Sequence, residues 1–145
     1  MSPEEIFKLC NAIALIGWLI LIIASPFWFN TDKFLIGIVV TLLCIVYAWG
    51  AFTHLHADDL KKFGTLNGVV ELFGNPKIVL TGWVHYLAFD LMTGIWIKKN
   101  AQKYNISHWI LIPCLLFTFM LGPVGLLLYL LIRTVKTGNY FADNH

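Results

Sequence analysis

His85, Tyr86 and Asp90 are the residues whose types could do chemistry: a base, a phenol and an acid within six positions of an otherwise apolar run. Residues 78–97 contain no Lys, Arg or Glu, and about twenty helical residues are enough to cross the hydrocarbon core of a bilayer. Asp90 would then lie near the midplane. An acidic side chain at that depth costs roughly 2.5–3.5 kcal/mol on insertion scales, so it must face protein or a cavity and have a partner. Apolar surroundings favour the neutral carboxyl, which can donate a hydrogen bond or a proton to a substrate oxygen while His85 accepts one. The plainer alternative is that Asp90 binds a neighbouring hydroxyl and glues two helices, a contact worth about 0.6 kcal/mol in membrane bundles.

A helix turns about 100° per residue, which puts Gly82, Tyr86, Phe89 and Thr93 on one stripe with His85 on one flank and Asp90 on the other. Tyr86 and Asp90 are four apart and can touch. His85 and Asp90 stand about 140° apart around the axis, so they can flank a groove but do not face each other. Counting along antiparallel neighbours brings Thr41 and Thr118 level with Asp90 as its expected partners.

Other candidates are thinner. His54-x-His56-x-Asp58-Asp59 resembles metal-ligand spacing, but histidines and aspartates beside a membrane are commonly just solvated, and no metal is expected. His108 falls beside a basic turn, and Arg133 closes an apolar segment where its head can snorkel to lipid headgroups or pair with a polar group. A bis-histidine haem needs a second histidine level with His85, and the facing positions are apolar. Cys10, Cys44 and Cys114 form no C-x-x-C pair and read as buried thiols, which leaves no thiol-based redox chemistry. No cofactor is expected.

The elements that must position these residues are helices. Of 145 residues, 59% are hydrophobic and 12% charged, half the charge of a soluble domain, so lipid is the expected solvent. Uncharged runs predict an all-α, polytopic single domain with four transmembrane helices at about 9–31, 34–53, 78–97 and 107–132. Trp28 and Phe29 mark the end of the first span. Between spans two and three, Leu66, Val69, Val70 and Phe73 recur at helical spacing, with Thr65 as cap and Gly74 and Pro76 as terminators. They predict a short interfacial amphipathic helix over about 66–73. Pro113 and the Gly122-Pro123 pair should bend the fourth span, with a kink near Gly122.

Four spans would put both termini, the 54–77 connection and Arg133 on one side. Six basic residues there against four on the other weakly favour that side as cytoplasmic. A net charge of +2 offers no footprint for nucleic acid. The acidic start, Met1 to Glu5, is unlike a signal or transit peptide, so the first span is expected to be retained. The Asn105-Ile106-Ser107 sequon sits in a tight turn beside a span and is not expected to be used. Small bundles often pair with a second copy, so a homo-oligomer is an expected arrangement, although no surface in the sequence marks one.

The residues Gly82-Trp83-Val84-His85-Tyr86-Leu87-Ala88-Phe89-Asp90-Leu91, Gly94-x-Trp96, His108 ahead of Pro113-Cys114-Leu115-Leu116, Thr118-Phe119, and Gly122-Pro123-x-Gly125 followed by Leu126 to Leu131 resemble the abscisic-acid-deficient-four-like family, also called neoxanthin-deficient-like. The resemblance covers about residues 66–133. It implies a small integral membrane protein of carotenoid metabolism, whose plant members are required to turn epoxidised violaxanthin into allenic neoxanthin. The plant form's N-terminal transit extension has no counterpart here, which implies a bacterial inner membrane or its equivalent. Such an isomerisation needs an acid on the epoxide oxygen and a base for a vinylic proton, roles that fall to Asp90 and His85, with Tyr86 orienting them. The carotenoid or other isoprenoid lipid would lie among the helices against Gly82, Phe89, Thr93, Thr118, Gly122 and Pro123, with Ala88 and Gly94 making room, and membrane lipid around it. The competing expectation is a non-catalytic pigment- or lipid-binding protein, or an assembly scaffold of a biosynthetic complex.

Overall fold

A computed structural model describes residues 1–28 and 30–143. Phe29, half of the expected aromatic marker, lies outside the described residues. Those residues form helices joined by short turns: α1 (Pro3–Ala24), α2 (Thr31–His54), α3 (Ala57–Lys62), α4 (Leu66–Phe73), α5 (Pro76–Lys103), α6 (His108–Leu121) and α7 (Pro123–Thr137). Three of them, α1, α2 and α5, are long and apolar enough to cross a membrane.

α1 begins well before the apolar run because its first turn is built from polar parts. The Ser2 N–H donates to Glu5 Oε2 at 2.6 Å, the Glu5 N–H donates to Ser2 Oγ at 3.3 Å, and Pro3 occupies the first position, where no N–H is needed. α1 and α2 each contain a wide, π-type turn, at Ile20–Ala24 and Leu35–Val40. Such turns displace carbonyls that need other donors. Thr41 Oγ1 donates to the Ile36 carbonyl at 2.8 Å, and His108 Nε2 lies 2.8 Å from the Ile22 carbonyl, tying α6 to α1.

α5 is the central helix. It runs parallel to α1, with Gly17 under Leu91 and Gly94 under Trp18 and Leu21, and antiparallel to α2, with Gly50 against Thr81 and Asp32 against Lys98. Small residues at these crossings let the backbones approach closely. Lys98 is only 3% exposed, and its ammonium meets the Asp32 carboxylate at 2.6 Å, pinning one end of the bundle. The helix over 66–73 forms as the spacing predicts, with Thr65 Oγ1 accepting from the Gly68 N–H at 3.1 Å. Phe73 seats α4 on α5 by lying over Gly82.

The fourth apolar segment departs from expectation. It breaks at Gly122 and doubles back, so the expected kinked span is a helical hairpin. α6 descends alongside α5 from the Lys98 end until Phe119 and Met120 reach Tyr86; α7 then returns, bringing Tyr129 and Arg133 to Asn100 near the C-terminal end of α5. Gly122 makes the reversal possible with φ 49° and ψ −97°, a conformation closed to most L side chains, and Pro123 starts the returning helix. Gly125 lets α7 lie directly on α6: a Cβ there would stand 2.1 Å from the Thr118 nitrogen and 2.4 Å from the Cys114 carbonyl oxygen. Arg133 and Asp143 therefore sit at the end of the bundle opposite His54, Lys77 and the first residues of α1, not beside them.

Candidate functional site

Asp90 lies halfway along α5, directly beneath the tip of the α6/α7 hairpin. A Cβ built on Gly122 would stand 2.7 Å from Oδ1 and 3.1 Å from Oδ2 of the carboxyl. Oδ2 is buried without a hydrogen-bond partner among the described residues. The Tyr86 hydroxyl, one turn earlier, is the neighbouring polar side chain and interacts with the carboxyl. Its hydrogen bonds run to the carbonyls of Met120 at 3.3 Å and Phe119 at 3.5 Å, part of the last turn of α6 that no further helical N–H satisfies. A carboxyl, a phenol, a helix C-terminus and the N-terminus of α7 thus meet midway through the bundle, the arrangement that broken helices provide for polar groups at membrane depth.

The expected hydroxyl partners are spent elsewhere. Thr41 bonds its own helix, and Thr118 Oγ1 donates to the Cys114 carbonyl at 2.8 Å, as a buried threonine does when its helix offers a carbonyl four residues back. Thr93 does the same to Phe89 at 2.8 Å. Thr118 is fully buried in the hairpin seam beneath Gly125. The space over Gly82 belongs to Phe73 and that over Gly94 to Trp18.

His85 is exposed on the outer flank of α5, stacked on Phe89 at 4.5 Å between centroids and tilted against Tyr47 at 5.2 Å. The structure brings Asp90, Tyr86, Gly122 and Pro123 together and leaves His85 apart from them, with the half-exposed Phe89 ring beside it.

Phe89 and Thr93 line a groove of about 600 Å³ that runs between α5 and α7, walled by Met92, Trp96, Leu126 and Leu130. Its far end reaches Arg133, beyond which lies a buried polar cluster that hydropathy does not reveal. Asn100 Oδ1 accepts from the Tyr129 hydroxyl at 2.6 Å and from Arg133 Nη1 at 3.1 Å, while Arg133 Nη2 donates to the Tyr140 carbonyl at 3.2 Å. All three side chains are buried, Arg133 to 2% exposure. The available signal was spacing: Trp96 and Asn100, like Tyr129 and Arg133, are four apart and share a helix face.

The 54–59 motif does not gather. α2 ends at His54, whose ring stands edge-on to Trp49; the His56 N–H donates to Asp59 at 3.1 Å; Asp58 pairs with Lys61. Among the described residues no three His, Cys, Asp or Glu side chains are grouped to hold a metal ion. Cys10 and Cys114 are buried, whereas Cys44 is exposed on α2.

No curated protein and no solved structure matches the chain. A family profile does, over residues 5–129, which takes in nearly all of the three long helices and the hairpin tip. The chain belongs to the ABA DEFICIENT 4-like family.

Proposed function

We propose that this is a multi-pass integral membrane protein of carotenoid or isoprenoid metabolism, in a bacterial inner membrane or its equivalent, that isomerises an epoxidised end group. In this reading α1, α2 and α5 cross the bilayer, the α6/α7 hairpin dips into it from one side, and α4 lies in the interface of the other. The observation that carries the reading is the Asp90 carboxyl, held at mid-depth against Gly122 with one oxygen uncommitted. An acid placed there with one buried oxygen unbonded has that oxygen available to a ligand.

The groove between α5 and α7 suits a long apolar molecule, since its walls are largely aromatic and aliphatic and it reaches Phe89, the residue before the acid in the chain. In its protonated form Asp90 would donate to the epoxide oxygen as the C–O bond breaks. Loss of a vinylic proton from the adjoining chain to a base then leaves an allene and a hydroxyl, with no net gain or loss of atoms or electrons. Tyr86 steadies the acid. His85 is the base if the substrate reaches around the Phe89 ring, which lies against it. A second reading, a pigment-binding protein or scaffold without turnover, is favoured by that separation of His85 from Asp90.

Expression in a host that makes violaxanthin distinguishes the two. Pigment analysis should show a new allenic product with the wild-type chain, reduced with His85→Ala, and lost with Asp90→Asn accumulating to the same level. Bound but unaltered violaxanthin would leave only the binding reading.

A further inference from the structure

A second cavity, of about 310 Å³, lies at the opposite end of the bundle, where α1 starts, α2 ends and α5 begins. Its walls are apolar: Ile6, Val46, Trp49, Leu80 and Val84. Lys77, His54 and Met1 stand with them in the lining. At this end the carboxylates are already committed. Glu4 pairs with Lys8, Asp58 with Lys61, and Asp59 and Glu71 with Lys62, while Glu5 accepts from the Ser2 N–H. Among the described residues the Lys77 ammonium has no acidic partner, and it is exposed beside the apolar hollow. Its main chain is fixed at both sides, by the Asn75 side chain accepting from its N–H at 3.0 Å and by the Thr81 hydroxyl donating to its carbonyl at 2.9 Å.

An apolar hollow with an uncompensated lysine at its rim matches an anionic amphiphile: a chain to fill the hollow and a negative headgroup to meet the ammonium. A zwitterionic lipid brings its own cation and gains less from Lys77, and a free anion leaves the apolar walls unused. We infer that this cavity is a binding site for an anionic membrane phospholipid, one acyl chain lying against Ile6, Val46 and Leu80 and the phosphate at Lys77. The site is separate from the α5/α7 groove and does not depend on the isomerase reading.

The test is titration of the purified full chain, in neutral detergent, with phosphatidylglycerol, phosphatidylcholine or inorganic phosphate, followed by native mass spectrometry. Phosphatidylglycerol should bind about fivefold more tightly than phosphatidylcholine, the advantage one lysine gives near an anionic headgroup. Lys77→Gln should erase that advantage, and Lys99→Gln, exposed at the other end of α5, should keep it. Ile6→Trp, which fills the hollow, should weaken phosphatidylglycerol binding while the protein elutes as before. Equal affinity for the two lipids, indifference to Lys77→Gln, or displacement of the lipid by equimolar phosphate would overturn the inference.

Discussion

Gly122 and Asp90 fit together only because Gly122 has no side chain: any Cβ there would stand 2.7 Å from the Asp90 carboxyl, and the backbone at φ 49° would resist it as well. The same glycine therefore turns the hairpin and leaves room for the acid. Gly122→Ala should lower the thermal unfolding midpoint in mild detergent by the equivalent of roughly 1–3 kcal/mol, the usual cost of a strained backbone position. Gly37→Ala, where a Cβ meets nothing within 4 Å, should be neutral or stabilising. Equal effects at the two sites would mean that the turn at Gly122 is not as described.

The hairpin also sets which residues share a side. In a background with Cys10, Cys44 and Cys114 replaced, cysteines introduced at Gln102 and Lys136 should react with a membrane-impermeant maleimide from one side of a sealed vesicle, and a cysteine at Asp58 from the other. A kinked fourth span would instead group positions 136 and 58.

Asn100 ties α7 to α5 by accepting from two buried donors. Tyr129→Phe deletes one neutral hydrogen bond and should cost about 0.5–1.5 kcal/mol. Asn100→Leu strips the acceptor from a buried phenol and a buried guanidinium together and should cost about 3 kcal/mol or more. Denaturant titration of the detergent-solubilised protein measures both; the reverse order would show that the cluster is not the anchor of α7.

The α3 turn carries a pH dependence of known sign. The His56 N–H, followed by Lys62, holds the Asp59 carboxyl below its usual range. A group depressed in the folded state contributes stability above its unfolded value of about 3.9, and that contribution fades as pH falls through the lower folded value. Hydrogen exchange over residues 57–73, corrected for the chemical rate, should therefore speed up as pH drops from about 5 to about 2. Asp59→Asn should exchange quickly throughout; a pH-dependent Asn variant would assign the effect to another group.

Much of this fold is legible from uncharged length and helical spacing. Residues 34–53 and 66–73 announce their helices, and α5 overruns its apolar core only because the Asn75 cap and the lysines at its end are polar extensions that hydropathy does not register. The hairpin was not legible. Residues 107–132 are long enough to span, and a Gly-Pro pair within such a run means a kink far more often than a reversal; what decides is the contact of Gly125 with Cys114 and Thr118, which is tertiary. The site divides in the same way. Tyr86 and Asp90 follow from four-residue spacing, whereas Thr41 and Thr118, chosen by depth, turn out to bond their own helices, because a hydroxyl in an apolar helix has a carbonyl within reach on the preceding turn. The Asp32–Lys98 pair was hidden because its members lie 66 positions apart and each reads as an ordinary charge at a helix end.

Single-turnover conversion of violaxanthin by the purified chain and by Asp90→Asn, each reconstituted in lipid nanodiscs with bound pigment quantified, tests the role of Asp90 directly. If Asp90 is the proton donor, the variant should retain the pigment and lose about 10²-fold or more of its rate. An Asn variant that forms allenic product at the wild-type rate would show that Asp90 is not the proton donor.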